Sequence, residues 1–330
     1  MNRGPCRKLA HLCSLALTVV LVGCGTYPKA EGSDGFPAMH PVTGTGTLAP
    51  SNATEFSFVA FGDNQGDTNV PTVMSLIFDH MNSNDPKPAF VLSLGDVVYG
   101  KDPQKTSATI KASFEGFVSQ VEAAGIPVFN APGNHEMDDK DDIPNAKMHR
   151  LYKETIGDLY GAFDYGNARF IGLNTSGIPP ANVCKKLNAK GLECSYISDE
   201  DLERLERDLK ASSGKTHVFV FMHYPIKPRR PCETLNPAIV KRLSAMFRKY
   251  RNVAFVLASH EHLYFNPDDP KNVHRIASYR AGQPERFLVS GGAGAGLDTR
   301  PCTKKNAFYH YLWIHVDGPT VRVEIRRIDG

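Results

Sequence analysis

The stretch FSFVAFGDNQ, residues 56–65, decides the fold class, because an apolar run of strand length ends abruptly at a glycine and an acid. Such a run, rich in aromatic and β-branched residues and closed by a turn residue, is typical of a buried strand. The stretch AFVLSLGD, residues 89–96, repeats the pattern. Between them, apolar residues at helical spacing occupy residues 73–81. The order strand, helix, strand predicts an α/β fold.

The same alternation continues toward the end of the chain. We predict further strands at residues 126–129, 217–221 and 253–257, and a hairpin over 309–328 that turns at Asp317-Gly318. We predict further helices at residues 110–123, after an N-cap at Ser198, and after Asn236-Pro237. The expected architecture is α/β (α+β by some schemes), with helices on the outer faces of the sheets. Ligands of such folds bind at loops beyond the carboxyl ends of strands.

Five predicted strands lead directly into side chains of the kinds that bind metal ions. In chain order the loops are Gly62-Asp63-Asn64-Gln65, Gly95-Asp96-Val97-Val98-Tyr99, Gly133-Asn134-His135-Glu136, His223-Tyr224-Pro225 and Ser259-His260-Glu261-His262. Carboxylates, imidazoles and amide oxygens suit Fe, Mn, Zn or Co. Each loop alone is more often structural, as a turn, a surface strand or a core histidine. Together, in this order, they predict a site for two metal ions.

This order of motifs resembles the calcineurin-like metallophosphoesterases, and especially their purple acid phosphatase branch, over residues 56–265. The resemblance implies a two-sheet α/β sandwich that hydrolyses phosphate esters with two divalent or mixed-valence ions (Fe, Mn or Zn). The implied metal ligands are Asp63 and His262 for the first ion, Asp96 as the bridge, and Asn134, His223 and His260 for the second. The resemblance places His135 outside the ligand set, near the leaving group or a phosphate oxygen.

The first metal position departs from the family at Gln65, because most members have a histidine two residues after the first aspartate. Two residues are candidates to replace this histidine as a metal ligand. Tyr99 lies where purple acid phosphatases place a tyrosinate on ferric iron. Alternatively the amide oxygen of Gln65 binds, as the Asp-x-Gln of manganese-dependent ADP-ribose and CDP-alcohol diphosphatases suggests. Both residues also have structural interpretations, Tyr99 as a packed aromatic and Gln65 as a hydrogen-bonding loop residue.

The predicted function is hydrolysis of a small phosphorylated substrate, with His135 either donating a proton to the leaving alkoxide or hydrogen-bonding the phosphoryl group. One alternative keeps the site but cuts a phosphodiester or a nucleotide diphosphate. Another is a non-catalytic binding protein of the cell envelope. The formal net charge of +3, without a run of lysines and arginines, gives no indication of nucleic-acid binding.

The N-terminal residues predict export. A positive start precedes an apolar segment, residues 12–22, that is too short to span a bilayer. Leu21-Val22-Gly23-Cys24 resembles the lipobox of bacterial lipoproteins, which implies removal of residues 1–23 and attachment of lipid to Cys24; an ordinary signal peptide is the alternative. We expect a flexible tether over 24–53 and a domain over 54–330. Gly25, in place of aspartate, favours the periplasmic side of the outer membrane in a Gram-negative cell.

The cysteines outside the export segment are Cys184, Cys194, Cys232 and Cys302. Their even number in an oxidising compartment suggests disulfides, and four cysteines allow three pairings. The short separation favours Cys184 with Cys194, which leaves Cys232 with Cys302; a zinc site is the rival interpretation. Three arginines flank the second pair, Arg229, Arg230 and Arg300, and either bind a substrate anion or are solvated surface charge. The glycine-rich residues 291–296 predict a loop that approaches the metal site closely.

Overall fold

The computed structural model describes residues 36–65, 72–99, 106–137, 145–180, 182–271 and 277–328. The predicted export segment 1–23, the lipidation site Cys24 and the tether residues 24–35 lie outside these ranges. The strands are β1 (Glu55–Phe61), β2 (Val91–Ser93), β3 (Val128–Asn130), β4 (Gly161–Tyr165), β5 (Ala168–Leu173), β6 (His217–Met222), β7 (Val253–Ala258), β8 (Tyr264–Phe265), β9 (Ala277–Arg280), β10 (Arg286–Ser290), β11 (His310–Asp317) and β12 (Thr320–Arg327). The helices are α1 (Thr72–Asn82), α2 (Ser107–Ala124), α3 (Asn134–Met137), α4 (Asn145–Thr155), α5 (Val183–Asn188), α6 (Asp199–Ala211) and α7 (Pro237–Lys249). In these described ranges, no helix has both the length and the apolar character needed to cross a bilayer.

The strands form two mixed sheets. One has the order β3-β2-β1-β11-β12-β9, and the other has the order β4-β5-β6-β7-β10-β8. Strands β1 to β3 run parallel in the first sheet, and β5, β6, β7 and β10 run parallel in the second. The predicted C-terminal hairpin is present, with β11 and β12 paired from His310↔Arg327 to Asp317↔Thr320. The prediction of a two-sheet α/β sandwich is therefore confirmed.

The main core lies between the two sheets and is rich in aromatic rings. The Phe58 ring of the first sheet lies 5.1 Å from that of Phe170 and 5.0 Å from that of Phe219, both in the second sheet. All three side chains are fully buried. Burying each of them stabilises the fold by roughly 1.5–3 kcal/mol relative to exposure. Aromatic packing thus fixes the position of one sheet on the other.

Helices cover the outer faces of both sheets. Ile77 of α1, Phe114 of α2 and Tyr152 of α4 pack in one cluster with residues of the first sheet. Leu205 of α6 and Leu243 of α7 pack in another cluster with residues of the second. The predicted caps are present, since Asp201 N donates to Ser198 Oγ (3.0 Å) and Ala238 N donates to Asn236 Oδ1 (3.0 Å).

The segment over residues 36–53 differs from the predicted flexible tether, and the boundary at residue 54 is wrong. Phe36, Met39 and Val42 are buried. Met39 N donates to the Ala162 carbonyl of β4 (2.9 Å), and Val42 N donates to the Val128 carbonyl of β3 (2.7 Å). Strand β3 forms one edge of the first sheet, and β4 forms one edge of the second. The segment is ordered because it supplies the hydrogen bonds and apolar cover that two open edges need.

Candidate metal centre

The predicted metal-binding side chains meet where strands of both sheets end. Asp63, Asp96 and Asn134 follow β1, β2 and β3 of the first sheet. His223 follows β6 of the second sheet, and His260 and His262 follow β7. Asp63, Asp96 and His223 are buried to 1% exposure or less. The carboxyl ends of the parallel strands therefore build one buried polar cluster between the sheets, as the motif order predicts.

Four of these residues have a left-handed backbone. The φ angles are 57° at Asp63, 56° at Asp96, 75° at His260 and 47° at His262. A non-glycine residue in this region costs on the order of 1–3 kcal/mol, and such residues are concentrated at functional sites. The sharp turn after each strand directs the side chain back toward the cluster. The strained backbone at these four residues therefore brings their polar side chains together.

Glycines let two loops approach the carboxylates closely. A Cβ atom on Gly133 would lie 2.1 Å from Asp96 Oδ1, and one on Gly291 would lie 2.1 Å from Asp63 Oδ2. Any side chain at either position would displace the carboxylate. The glycine-rich residues 291–296 are therefore a close-approach loop beside Asp63, as predicted.

Asn134, His223 and His260 bring ligand atoms together on one side of Asp96. His223 Nε2 lies 2.9 Å from Asn134 Oδ1, 3.1 Å from His260 Nδ1 and 3.3 Å from Asp96 Oδ2. Asp96, His223 and His260 also form a group whose ligand atoms lie within 4.8 Å of one another. This is the donor set that the motifs predict for the second ion.

The hydrogen-bond partners of Nδ1 determine which tautomer His223 and His262 adopt. His223 Nδ1 lies 3.0 Å from the Leu94 carbonyl, and His262 Nδ1 lies 2.8 Å from the Gly296 carbonyl. A carbonyl oxygen only accepts, so Nδ1 carries the proton in both rings. Nε2 of each then presents its lone pair, the form in which imidazole binds a metal.

Asp63 and His262 form a second group with Asp96. Ligand atoms of Asp63, Asp96 and His262 lie within 4.8 Å of one another. Both carboxylate oxygens of Asp63 are buried without a hydrogen-bond partner. Burial raises the pKa of Asp63, because an unpaired buried charge is unfavourable. A cation between these residues would satisfy both oxygens, so the residues fit a metal ion.

Asp96 belongs to both groups, as a bridging ligand requires. Burial disfavours its charge, but His223 and His135 together lower its pKa below the ordinary value. Asp96 therefore remains a carboxylate at neutral pH.

Gln65 and Tyr99 have very different surroundings. Gln65 is 3% exposed, and its side-chain nitrogen faces the Asp96 backbone oxygen (2.7 Å) and Oδ2 (3.3 Å) when the amide is oriented to donate. Tyr99 is 53% exposed, and its ring lies 6.3 Å from that of His135. Gln65 is thus in contact with Asp96, whereas the exposure of Tyr99 sets it apart from the buried candidate ligands.

His135 lies beside the cluster. Its side chain is largely buried at the cavity, with Nε2 3.8 Å from Asp96 Oδ2. Its backbone nitrogen donates to Asp96 Oδ1 (2.9 Å). The ring therefore borders the cavity beside Asp96.

Two buried glutamates in the motifs bind backbone instead of facing the cluster. Glu136 accepts from the backbone nitrogens of Asp96, Val97, Val98 and Gly133 at 2.8–3.1 Å. Glu261 accepts from those of Arg229 (2.6 Å) and Arg230 (2.7 Å). Burial raises the pKa of each to about 7. These carboxylates fasten loops around the site, a role that the motif spacing alone does not reveal.

A cavity of about 320 Å³ opens over the cluster. Its lining includes residues that the sequence did not predict, Glu193, Glu233 and Asp298. Of the three candidate arginines, Arg230 and Arg300 line it. Arg230 Nε lies 3.1 Å from Asp298 Oδ2, and Arg300 Nε lies 2.8 Å from Asp298 Oδ1. The third, Arg229, donates to the Cys302 carbonyl (2.9 Å). The arginines at the cavity are thus already paired with carboxylates.

Only one of the two predicted disulfides is present. Cys184 and Cys194 are bonded, with their Cα atoms 4.8 Å apart. Cys232 and Cys302 are exposed free thiols, so that predicted pairing is wrong. The Cys232 sulfur instead faces Glu233 Oε1 at 3.8 Å.

The geometry agrees with comparisons to known proteins. The family model described as "Calcineurin-like phosphoesterase" matches residues 56–264, and the chain belongs to that family. The serine/threonine-protein phosphatase CPPED1 of Rattus norvegicus is 26% identical over 146 residues, which are 44% of this chain and 43% of the relative. The aligned stretch is thus less than half of either protein.

Two solved structures share the fold at low sequence identity. A dimetal phosphatase from Danio rerio has a TM-score of 0.57 at 14% identity, over 82% of this chain and 96% of its own. GAP50, described as the anchor in the inner membrane complex of Plasmodium, has a TM-score of 0.53 at 13% identity, over 84% of this chain and 90% of its own. The prediction of a metal-dependent phosphoric ester hydrolase is confirmed at the level of the family. The family typically binds two divalent metal ions, and this chain has the residue groups to hold them.

Proposed function

We propose that the protein is a two-metal phosphatase that hydrolyses small phosphate monoesters in the bacterial cell envelope. The observation that supports this best is Asp63. Its two buried oxygens have no hydrogen-bond partner, and they lie in one group with Asp96 and His262. Asn134, His223 and His260 converge on the opposite side of Asp96. A binding module without metals would leave this buried carboxylate uncompensated.

Asp63, Asp96 and His262 would hold one ion, and Asp96, Asn134, His223 and His260 the other. When bound, the two ions supply Lewis acidity that offsets phosphoryl charge and makes water a better nucleophile. The buried ligands and the left-handed turns keep the donor atoms fixed during turnover. His135, at the edge of the cavity, delivers a proton to the departing alkoxide, which prevents charge from accumulating on that oxygen. The similarity to a serine/threonine-protein phosphatase supports a monoester as substrate.

The identity of the metals depends on which residue replaces the missing histidine. A purple acid phosphatase type, with a tyrosinate on ferric iron, needs Tyr99, whose side chain is half exposed. Gln65 is buried against Asp96 and supports a colourless manganese or zinc form. The visible spectrum of the purified protein separates the two. We expect no violet absorption; a broad violet band that disappears in Tyr99→Phe would assign the tyrosinate instead.

Gln65 also favours a second candidate function. The Asp-x-Gln pattern resembles that of manganese-dependent diphosphatases, which cleave a diphosphate linkage. A substrate panel distinguishes the candidates: para-nitrophenyl phosphate, its bis ester, cyclic nucleotides and ADP-ribose. We expect the monoester to give the highest kcat/KM. Preferential cleavage of ADP-ribose or a diester would favour the alternatives, and no turnover together with no bound metal would favour a non-catalytic envelope protein.

The envelope location is proposed from Cys24 and the segment that precedes it. A lipid on Cys24 would attach the chain to the membrane, facing the periplasm from the outer membrane in a Gram-negative cell. Fractionation of cells that express the full chain tests this. We expect the wild type in the membrane fraction, and Cys24→Ser either in the soluble fraction or as an unprocessed precursor that keeps residues 1–23. Cys24→Ser protein that has lost residues 1–23 and still fractionates with the membrane would contradict the lipid anchor.

A further inference from the structure

We propose that Glu193 and Glu233 are positioning residues that fix His260 as a metal ligand, and that the Cys184–Cys194 disulfide holds Glu193 in place for this purpose. The inference rests on the proposed two-metal site, and it concerns residues outside the five motifs. Neither glutamate belongs to the predicted ligand set. Both line the cavity beside His260.

The carboxylates determine the tautomer of His260. Its Nε2 lies 2.9 Å from Glu233 Oε2 and 3.1 Å from Glu193 Oε2. Ionised carboxylates only accept hydrogen bonds, so Nε2 carries the proton. Nδ1, which lies 3.1 Å from His223 Nε2, then presents its lone pair to the second metal position. The charge of the carboxylates also makes the imidazole a stronger donor to a metal.

His260 differs in this respect from the other two histidine ligands. The Nδ1 atoms of His223 and His262 face backbone carbonyls, which the fold already fixes. The partners of His260 are side chains, whose positions need separate support.

Glu233 is supported by its neighbours. It ends the short 3-10 helix Pro231–Glu233, and its side chain is 10% exposed. The guanidinium of Arg230 contacts Oε1, which leaves Oε2 for His260. One carboxylate oxygen of Glu233 accepts from Arg230 and the other accepts from His260. A glutamine side chain has only one oxygen, so it cannot accept both hydrogen bonds.

Glu193 has less support and depends on the disulfide. Its side chain is 45% exposed, and the Tyr224 hydroxyl donates to Oε2 (3.2 Å). The next residue, Cys194, is bonded to Cys184 in α5. This bond closes the loop that carries Glu193. Holding so long and exposed a side chain in one rotamer is entropically unfavourable. The crosslink limits the backbone freedom that would add to this cost.

Metal titration of the purified full chain tests the proposal. Mn²⁺ binding is followed by calorimetry, and the bound metal is counted by elemental analysis. We expect two ions per wild-type chain. In the double variant Glu193→Gln/Glu233→Gln, one ion should bind about 10–100-fold more weakly, while the other is unchanged. Glu233→Asp, which keeps the carboxylate, should lose less affinity than Glu233→Gln. The matched control is Glu200→Gln/Glu206→Gln on the exposed surface of α6, which should bind both ions normally.

The disulfide is tested with Cys184→Ser/Cys194→Ser. This variant should weaken the same ion as the glutamate variants, by a smaller factor because Glu233 remains. Wild-type affinity for both ions in the glutamate double variant would overturn the positioning role, and wild-type affinity in the cysteine variant would overturn the role of the disulfide. If the glutamate double variant fails to fold by circular dichroism, Glu233→Gln alone decides the outcome. A wild-type chain that binds no metal would instead refute the proposed function itself.

Discussion

The amide oxygen of Asn134 lies 2.9 Å from Nε2 of His223, although the two residues are 89 positions apart in the chain. Asn134 follows β3 of one sheet, and His223 follows β6 of the other. The site therefore exists only where the two sheets meet. Its geometry depends on the aromatic core between the sheets as much as on the ligands themselves.

Asp63 should make stability depend on metal. Its buried oxygens have no partner, so the metal-free protein contains an uncompensated polar group. We expect Asp63→Asn to be at least as stable as wild type in EDTA, because the variant removes the charge at similar volume. With free metal at 1,000 times its Kd, wild type should gain about 4 kcal/mol. Thermal unfolding with and without Mn²⁺ measures both effects. An equal gain in stability on adding Mn²⁺ to Asp63→Asn would contradict the assignment of Asp63 as a metal ligand.

His135 should affect turnover without affecting metal content. His135→Ala removes the proposed proton donor and should lower kcat by about 10²–10⁴-fold. The ring lies outside both ligand groups, so the number of ions per chain should remain that of wild type. Kinetics with para-nitrophenyl phosphate and elemental analysis of the same sample check the two parts. Loss of metal in the variant would show that His135 is a ligand.

Gly133 should tolerate no side chain. An alanine Cβ would lie 2.1 Å from Asp96 Oδ1 and 2.5 Å from Asp96 N, so Gly133→Ala must displace the bridging carboxylate. We expect lower stability and loss of metal. Gly116→Ala in α2 is the control, because nothing lies within 4 Å of its added Cβ. It should raise stability by about 1 kcal/mol, since alanine favours helix. Normal metal binding in Gly133→Ala would refute the close-approach argument.

His310 should make the fold sensitive to acid. Burial lowers its pKa to about 4, from an ordinary value of 6.5. The unfolded chain takes up this proton near pH 6.5, but the folded chain does so only near pH 4. The buried neutral ring of His310 therefore makes its full contribution to the free energy of unfolding above pH 6.5. This contribution is lost as the pH falls to about 4, and the total loss is on the order of 3 kcal/mol. The free energy of unfolding, measured in urea at several pH values, should depend less steeply on pH in His310→Gln than in wild type. Identical pH profiles for the two proteins would contradict the assignment.

The sequence predicts the strands that precede the candidate metal-binding loops, because a strand and the loop that follows it are local features. The runs before Asp63, Asp96, His223 and His260 are apolar enough to be recognised as buried strands without any tertiary information. The caps at Ser198 and Asn236 are equally local. Family motifs then assign the order of the ligands.

The features that the sequence does not predict depend on tertiary contacts. Glu193 lies in a loop and Glu233 ends a short 3-10 helix, and only the fold places them on His260. The segment around Met39 and Val42 resembles a linker in composition, and it is ordered because two sheet edges need cover. Elimination alone predicts the pairing of Cys232 with Cys302, whereas the structure has both as free thiols, with the Cys232 sulfur 3.8 Å from Glu233 Oε1.

The most direct test of a two-metal centre is the metal content of the purified protein and of Asp96→Asn. Asp96 belongs to both ligand groups, so one amide substitution should weaken both positions. We predict two ions per wild-type chain, and clearly fewer than one in Asp96→Asn together with loss of phosphatase activity. A wild-type chain without bound metal, or an Asp96→Asn variant that retains both ions, would contradict the account.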